Sequence, residues 1–169
     1  MPIVITVVFT VLFFSIIKTV PGKEEHIVER AGRYHRTLYS GNHVILPLFE
    51  RIVKKVPKNI MLIDFPPQFV VTKDKSEAKI SFIVYFRIVD SLKYTYGAKN
   101  SMRTVKDLYI TAFKDVIVEK KLDEITGTGT NIIENLKTEF NIKADFLGIE
   151  VSKIVLKQID ILYKSANLR

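Results

Sequence analysis

The chain has 169 residues, a formal net charge of +8, 47% hydrophobic and 26% charged side chains, and no cysteine. That balance belongs to a folded domain rather than a disordered chain. The missing thiols exclude disulfides, cysteine nucleophiles, thiolate metal sites and S-palmitoylation within this sequence, and with Pro2 in second place N-myristoylation is not expected.

Residues 2–17, PIVITVVFTVLFFSII, carry no charge, and Lys18 is the first ionisable side chain. As a helix this run is about 24 Å long, a little short of a hydrocarbon core of roughly 30 Å. Thr19, Val20 and a snorkelling Lys18 extend it, and local thinning of the bilayer closes the gap. A cleaved signal peptide calls for a basic start and small residues before the cleavage site, which Met1-Pro2 and Ser15–Val20 do not offer. A buried core helix calls for a polar face, which is also missing. The expectation is an uncleaved membrane anchor helix over residues 1–20, with Ile3, Val7, Phe9, Leu12, Phe13, Phe14 and Ile17 among its lipid-facing side chains. Lys18, Lys23, Arg30 and Arg33 all follow the span. The positive-inside rule therefore puts the rest of the chain on the cytoplasmic face of a single-pass or monotopic membrane protein.

After Pro21-Gly22 the pattern turns β-like. His26–Glu29 is a strand candidate, and Ser40-Gly41-Asn42 marks a turn. The apolar run Val44–Phe49 reads either as a buried strand or as a turn that dips Ile45, Leu46, Leu48 and Phe49 into a membrane interface. The basic residues that follow, Arg51, Lys54, Lys55 and Lys58, are the densest such group in the chain. They read as an ordinary solvated surface or as attraction to anionic headgroups, worth about 1 kcal/mol per residue near the surface. Lys and Arg are otherwise scattered, so nucleic acid is not expected as a partner.

Ile60–Ile63 reads as a strand stopped by Pro66-Pro67, with Phe69–Thr72 resuming it. Lys79–Val89 is the clearest strand: Ile80, Phe82, Val84, Phe86 and Ile88 alternate with Lys79, Ser81, Tyr85 and Arg87. The period then changes. Val105, Leu108, Tyr109, Ala112, Phe113, Val116 and Ile117 fall at helical spacing, with Lys106, Asp107, Lys114 and Asp115 outside. The stretch Thr126–Thr130, TGTGT, breaks the chain, and a second helix is expected with Asn131 as N-cap, burying Ile132, Ile133, Leu136 and Phe140. Gly148 ends it. Ile149, Val151, Val155, Ile159 and Ile161 line a final strand interrupted by two lysines.

The expected fold class is α+β: an N-terminal membrane helix, a mostly antiparallel β-rich subdomain at 21–95, an α/β subdomain at 96–162 with two helices packed on the sheet, and a short tail at 163–169.

Five collinear segments carry a resemblance. VERAGRYHRTL with SGNHVILPLFERI at residues 28–52, DFPPQFVVTKD at Asp64–Asp74, FIVYFRIVDSLKYTYG at Phe82–Gly97, KKLDEI at Lys120–Ile125 and LGIEVSKIVLKQIDI at Leu147–Ile161 resemble motifs of the SPFH (Band 7) family. That is the stomatin and prohibitin group, and the stomatin-like branch is the most similar. The resemblance covers residues 20–161. It departs where relatives run through a proline pair into a long Ala/Glu/Arg-rich coiled-coil helix. Here Leu162-Tyr163 stands at the prolines and the chain ends at Arg169, so the resemblance carries no expectation of a closed cage. TGTGTN replaces the helix-forming stretch after LDEI, and Leu147 replaces a tryptophan.

What the resemblance implies is a membrane-anchored oligomeric scaffold without catalysis or cofactor. It would organise membrane microdomains and modulate membrane proteins, either proteases or ion channels. Its expected partners are membrane lipids and either further copies of itself or a longer SPFH relative. The alternative is a monomeric lipid- or partner-binding module that caps or regulates a full-length relative.

Three sharper motifs weigh less. His26, His35 and His43 do not converge at helical or single-strand spacing, so no metal is expected. Gly127-x-Gly129 lacks the strand, third glycine and lysine of a phosphate loop. Asp123 and Glu124 are adjacent on a helix end, which suits capping better than paired acid–base chemistry.

Overall fold

The computed structural model describes residues 16–127 and 130–163. The described chain is α+β with entirely antiparallel strand pairing, and its contacts divide it between Asn59 and Ile60 into two units. The subdomain boundary expected at residue 95 falls inside the second unit, beside its first helix.

In the first unit, β1 (Ile17–Val20) pairs with β4 (Gly41–Val44) in a two-stranded sheet. β2 (Glu24–Arg30) lies between β3 (Arg33–Leu38) and β5 (Glu50–Pro57) in a three-stranded one. Ile17–Val20, expected as the end of an anchor helix, is strand. Ile17, Val20 and the intervening Lys-Thr pair suit a ladder, and Gly41–Val44 supplies its hydrogen bonds. The earlier anchor positions, Ile3 through Phe14, lie outside the described residues. Both ladders of β2 shift register around Val28. This bulge leaves His26, Ile27, Val28 and Glu29 all buried in succession, where an undisturbed strand would alternate. Val20, Val28, Leu38 and Ile45 form one small core, with Ile52 against it.

The second unit is built on β6 (Met61–Val71), β7 (Glu77–Ile88) and β8 (Ile149–Tyr163), in that order. Between β7 and β8 come α1 (Ser91–Tyr96), α2 (Ser101–Val118), α3 (Leu122–Thr126), α4 (Thr130–Ala144) and a 3-10 turn at Asp145–Leu147. The alternating face of β7 is fully covered: Ile80, Phe82, Val84, Phe86 and Ile88 are at most 1% exposed. Phe82 stacks on Phe65 at 4.5 Å and on Phe113 of α2 at 4.2 Å, while Tyr109 of α2 stacks on Phe140 of α4. These ring pairs knit both long helices onto one face of the sheet.

Three local expectations are corrected here. Pro66 and Pro67 do not stop the strand: β6 is an edge strand, and it absorbs the two missing N–H donors in a register shift between Phe65 and Gln68. α4 begins at Thr130, so Asn131 is inside the helix rather than its cap. In β8, bulges at Ser152 and Lys157 flip the side-chain parity and then restore it. Ile154 therefore takes the buried position expected of Val155.

Candidate functional site

The segment that follows β4 is neither of the expected forms as a whole. Ile45 is 4% exposed and belongs to the core of the first unit. It is corrected from a membrane-interface residue to a packing residue, because its N–H bonds Ile16 O at 2.8 Å and continues the β1–β4 ladder. Beyond it the chain leaves the sheet. Leu46 O accepts both Phe49 N–H at 2.9 Å and Glu50 N–H at 2.8 Å, closing a single tight turn with Pro47 inside it. Its side chains face outward: Leu46 is 42%, Leu48 90% and Phe49 65% exposed. Folding leaves Leu48 and Phe49 in water at a cost of about 1.5–3 kcal/mol each relative to burial. Val44 and Ile17, partners in the β1–β4 register, are exposed as well. The turn thus adjoins the point where the uncharged N-terminal run enters the fold.

Glu50 holds the turn in place. Its side chain is 2% exposed. Oε2 accepts Leu46 N–H at 3.2 Å and Arg36 Nη2 at 3.0 Å, and Oε1 accepts Arg30 Nη2 at 3.2 Å. His35 Nε2 lies 3.3 Å from Oε1. Arg36 also donates to Val44 O, bridging the end of β4 to the last residue of the turn. Burial pushes the Glu50 carboxyl up, but the Leu46 N–H and the Arg36 and Arg30 guanidinium groups outweigh it, and the pKa lies below the usual value. Sequence reading gave Glu50 and Arg36 no role, and named Arg30 only as a flanking charge and His35 only as a discounted metal ligand. The visible signal was only an acidic residue directly after an apolar run.

The expected basic residues diverge. Arg51 donates to Glu29 Oε2 at 3.0 Å yet remains largely exposed. Lys55 is exposed, while burial of the half-covered Lys54 pulls its pKa down. The three histidines sit apart: His26 is buried beside Glu24, His35 meets Glu50, and His43 contacts Tyr39 O. Among the described residues no group of three His, Asp or Glu side chains could hold a metal, and no helix is long and apolar enough to cross a membrane.

A second junction, in the other unit, explains two of the sequence motifs. Asp74, in the β6–β7 turn, accepts the Thr72 hydroxyl, the Ser76 hydroxyl at 3.1 Å and the Leu122 N–H at 3.2 Å. Lys73 N–H bonds Lys120 O. The TKD turn and the LDEI helix start are thus one hydrogen-bonded structure. Hydrogen bonds from Thr72, Leu122 and Ser76 hold the Asp74 pKa below its usual value, against burial. Glu124 Oε1 accepts Lys121 N–H at 3.4 Å, a capping contact at the start of α3.

This fold and these motifs define an SPFH domain. The SPFH domain / Band 7 family matches residues 18–162, and the chain belongs to that family. It is 30% identical over 147 residues to stomatin-like protein 2, mitochondrial, of Rattus norvegicus, covering 87% of this chain and 42% of that protein. A stomatin homolog of Pyrococcus horikoshii is 28% identical over 158 residues, 93% of this chain and 59% of its own length. A protein of Methanothermobacter thermautotrophicus is 29% identical over 94% of this chain and 49% of its own. The chain therefore spans about half the length of the curated relatives it matches.

Proposed function

We propose that this chain is the membrane-attached domain of a stomatin-type scaffold, without catalysis of its own. Family membership supports membrane association. The observation that carries the reading is the juxtaposition of two apolar features. The uncharged run 2–17 enters the fold at Ile17, and Ile17 pairs with Val44 at the foot of the turn bearing Leu46, Leu48 and Phe49. A lipid surface reached by the first would meet the second. Lys18, Arg33 and Arg51, all exposed and set in strands that end at the turn, add headgroup attraction around it. In this reading the N-terminal run anchors the domain on the cytoplasmic face, and copies of the chain or a longer SPFH relative associate with it. The assembly then organises lipids and modulates a membrane protease or ion channel.

Retention of the full chain in the membrane pellet after an alkaline wash is the expected result, and release into the supernatant would overturn the anchor. Native mass in nanodiscs tests the association. A particle many times 19.4 kDa supports self-assembly, whereas a monomer or dimer favours the capping or regulatory module.

A further inference from the structure

The Glu50 cluster lies directly behind the apolar turn, and the proposed scaffold role makes no use of it. Three structural facts converge there. The turn is made of one short backbone loop, Leu46 O to the N–H groups of Phe49 and Glu50, which by itself would be a weak restraint on three exposed apolar side chains. The Glu50 carboxylate returns to the Leu46 N–H, so the first and last residues of the turn are tied twice, in opposite senses. Arg36 then fastens this carboxylate to Val44 O on the strand before the turn, and Arg30 fastens it to the end of β2. A carboxylate that is 2% exposed and carries this many donors is costly to desolvate, while a plain solvent-facing turn would need none of it.

We propose that Glu50, through Arg36, is a positioning residue for lipid contact: it holds Leu46, Leu48 and Phe49 as a preformed wedge aimed away from the sheet. The proposal rests on the membrane reading above. Preforming the wedge removes the ordering cost that a flexible apolar loop meets on entering a bilayer. The cluster also spends Arg30 and Arg36 internally, which leaves headgroup attraction to the basic residues outside it. The partner is a phospholipid surface, identified by the apolar tip and its basic surround.

The absence of cysteine makes the test direct. A Leu48→Cys variant carries the sole thiol at a 90% exposed site, where an environment-sensitive fluorophore can be attached to the full chain. In phosphatidylcholine vesicles with a minority of phosphatidylserine, nitroxide-labelled lipid is expected to quench that fluorophore. A Thr19→Cys variant in β1 serves as the reference beside the N-terminal run. Adding Glu50→Gln is expected to return quenching at position 48 to the level seen without nitroxide lipid, while position 19 and the near-ultraviolet circular dichroism stay unchanged. Should Glu50→Gln lose its folded signal, Arg36→Lys reads the same step, keeping the charge but losing the bridge to Val44, and Glu50→Asp should restore part of the effect. Undiminished quenching at position 48 in the folded variants overturns the positioning role and leaves the membrane contact standing. Absence of quenching at position 48 in the parent, with position 19 quenched, overturns the membrane contact of the turn itself.

Discussion

Tyr109 stands on α2 at the centre of the second unit, with its ring stacked 4.5 Å from Phe140 and its hydroxyl buried without a hydrogen-bond partner among the described residues. Burial pushes its pKa up, and the desolvated hydroxyl gains nothing in exchange from the described residues around it. Tyr109→Phe keeps the stack and removes the orphan, so it is expected to stabilise the protein by about 1 kcal/mol, read as a higher melting temperature. Ala31 presents the opposite case. It holds φ +50° in the two-residue β2–β3 loop, beside Gly32 at +76°, a geometry that disfavours a Cβ. Ala31→Asn, which tolerates the left-handed region, is expected to gain up to about 1 kcal/mol, measured by urea denaturation. Neither feature was visible in the sequence. An orphaned hydroxyl is defined by what surrounds it, and Ala-Gly is not a typical hairpin pair.

At the scale of elements, the junction of α1 with the 3-10 turn explains why Gly148 ends the helical part. Gly148 has φ +63°, and a Cβ there would lie 2.5 Å from Asp90 O, while one on Gly97 would lie 2.7 Å from Phe146 O. Asp90 is engaged at the same place, its side chain capping α1 through the N–H groups of Leu92 and Lys93. Gly148→Ala combines a left-handed backbone with a backbone clash and should cost about 2 kcal/mol or more, seen as a shift of the unfolding midpoint. The SLKYTYG and LGIEV segments were readable as motifs of a family. Their mutual contact was not readable, because about fifty residues of chain separate them. The same holds for Asp74 and Leu122. Asp74→Asn keeps the shape but loses one acceptor of a three-donor site. Its expected cost is about 1–3 kcal/mol in thermal stability.

For the whole molecule, the two depressed carboxyl groups, Glu50 and Asp74, set the pH dependence of folding. Both have folded pKa values below their ordinary ones, so the unfolded chain takes up protons first as pH falls. Their contribution is complete above the ordinary carboxylate range and is lost as pH drops through their folded values. Melting temperature is accordingly expected to stay level near neutrality and to fall below about pH 5, with a shallower fall in Asp74→Asn. A flat acid limb in the parent would contradict this assignment.

The sequence by itself determined the family, the α+β class, the buried face of β7 and the two long helices. Each of these follows from local periodicity or from collinear motifs, which need no knowledge of distant contacts. The tertiary structure alone decided that Ile17–Val20 is strand, that Ile45 is core while Leu48 is exposed, and that Ile154 replaces Val155 in the buried face of β8. It also decided that Glu50 and Asp74 are the hubs of their units. Strand partners, bulges and buried carboxylate contacts depend on residues far apart in the chain, and a one-residue bulge is enough to reverse which side of a strand is inside.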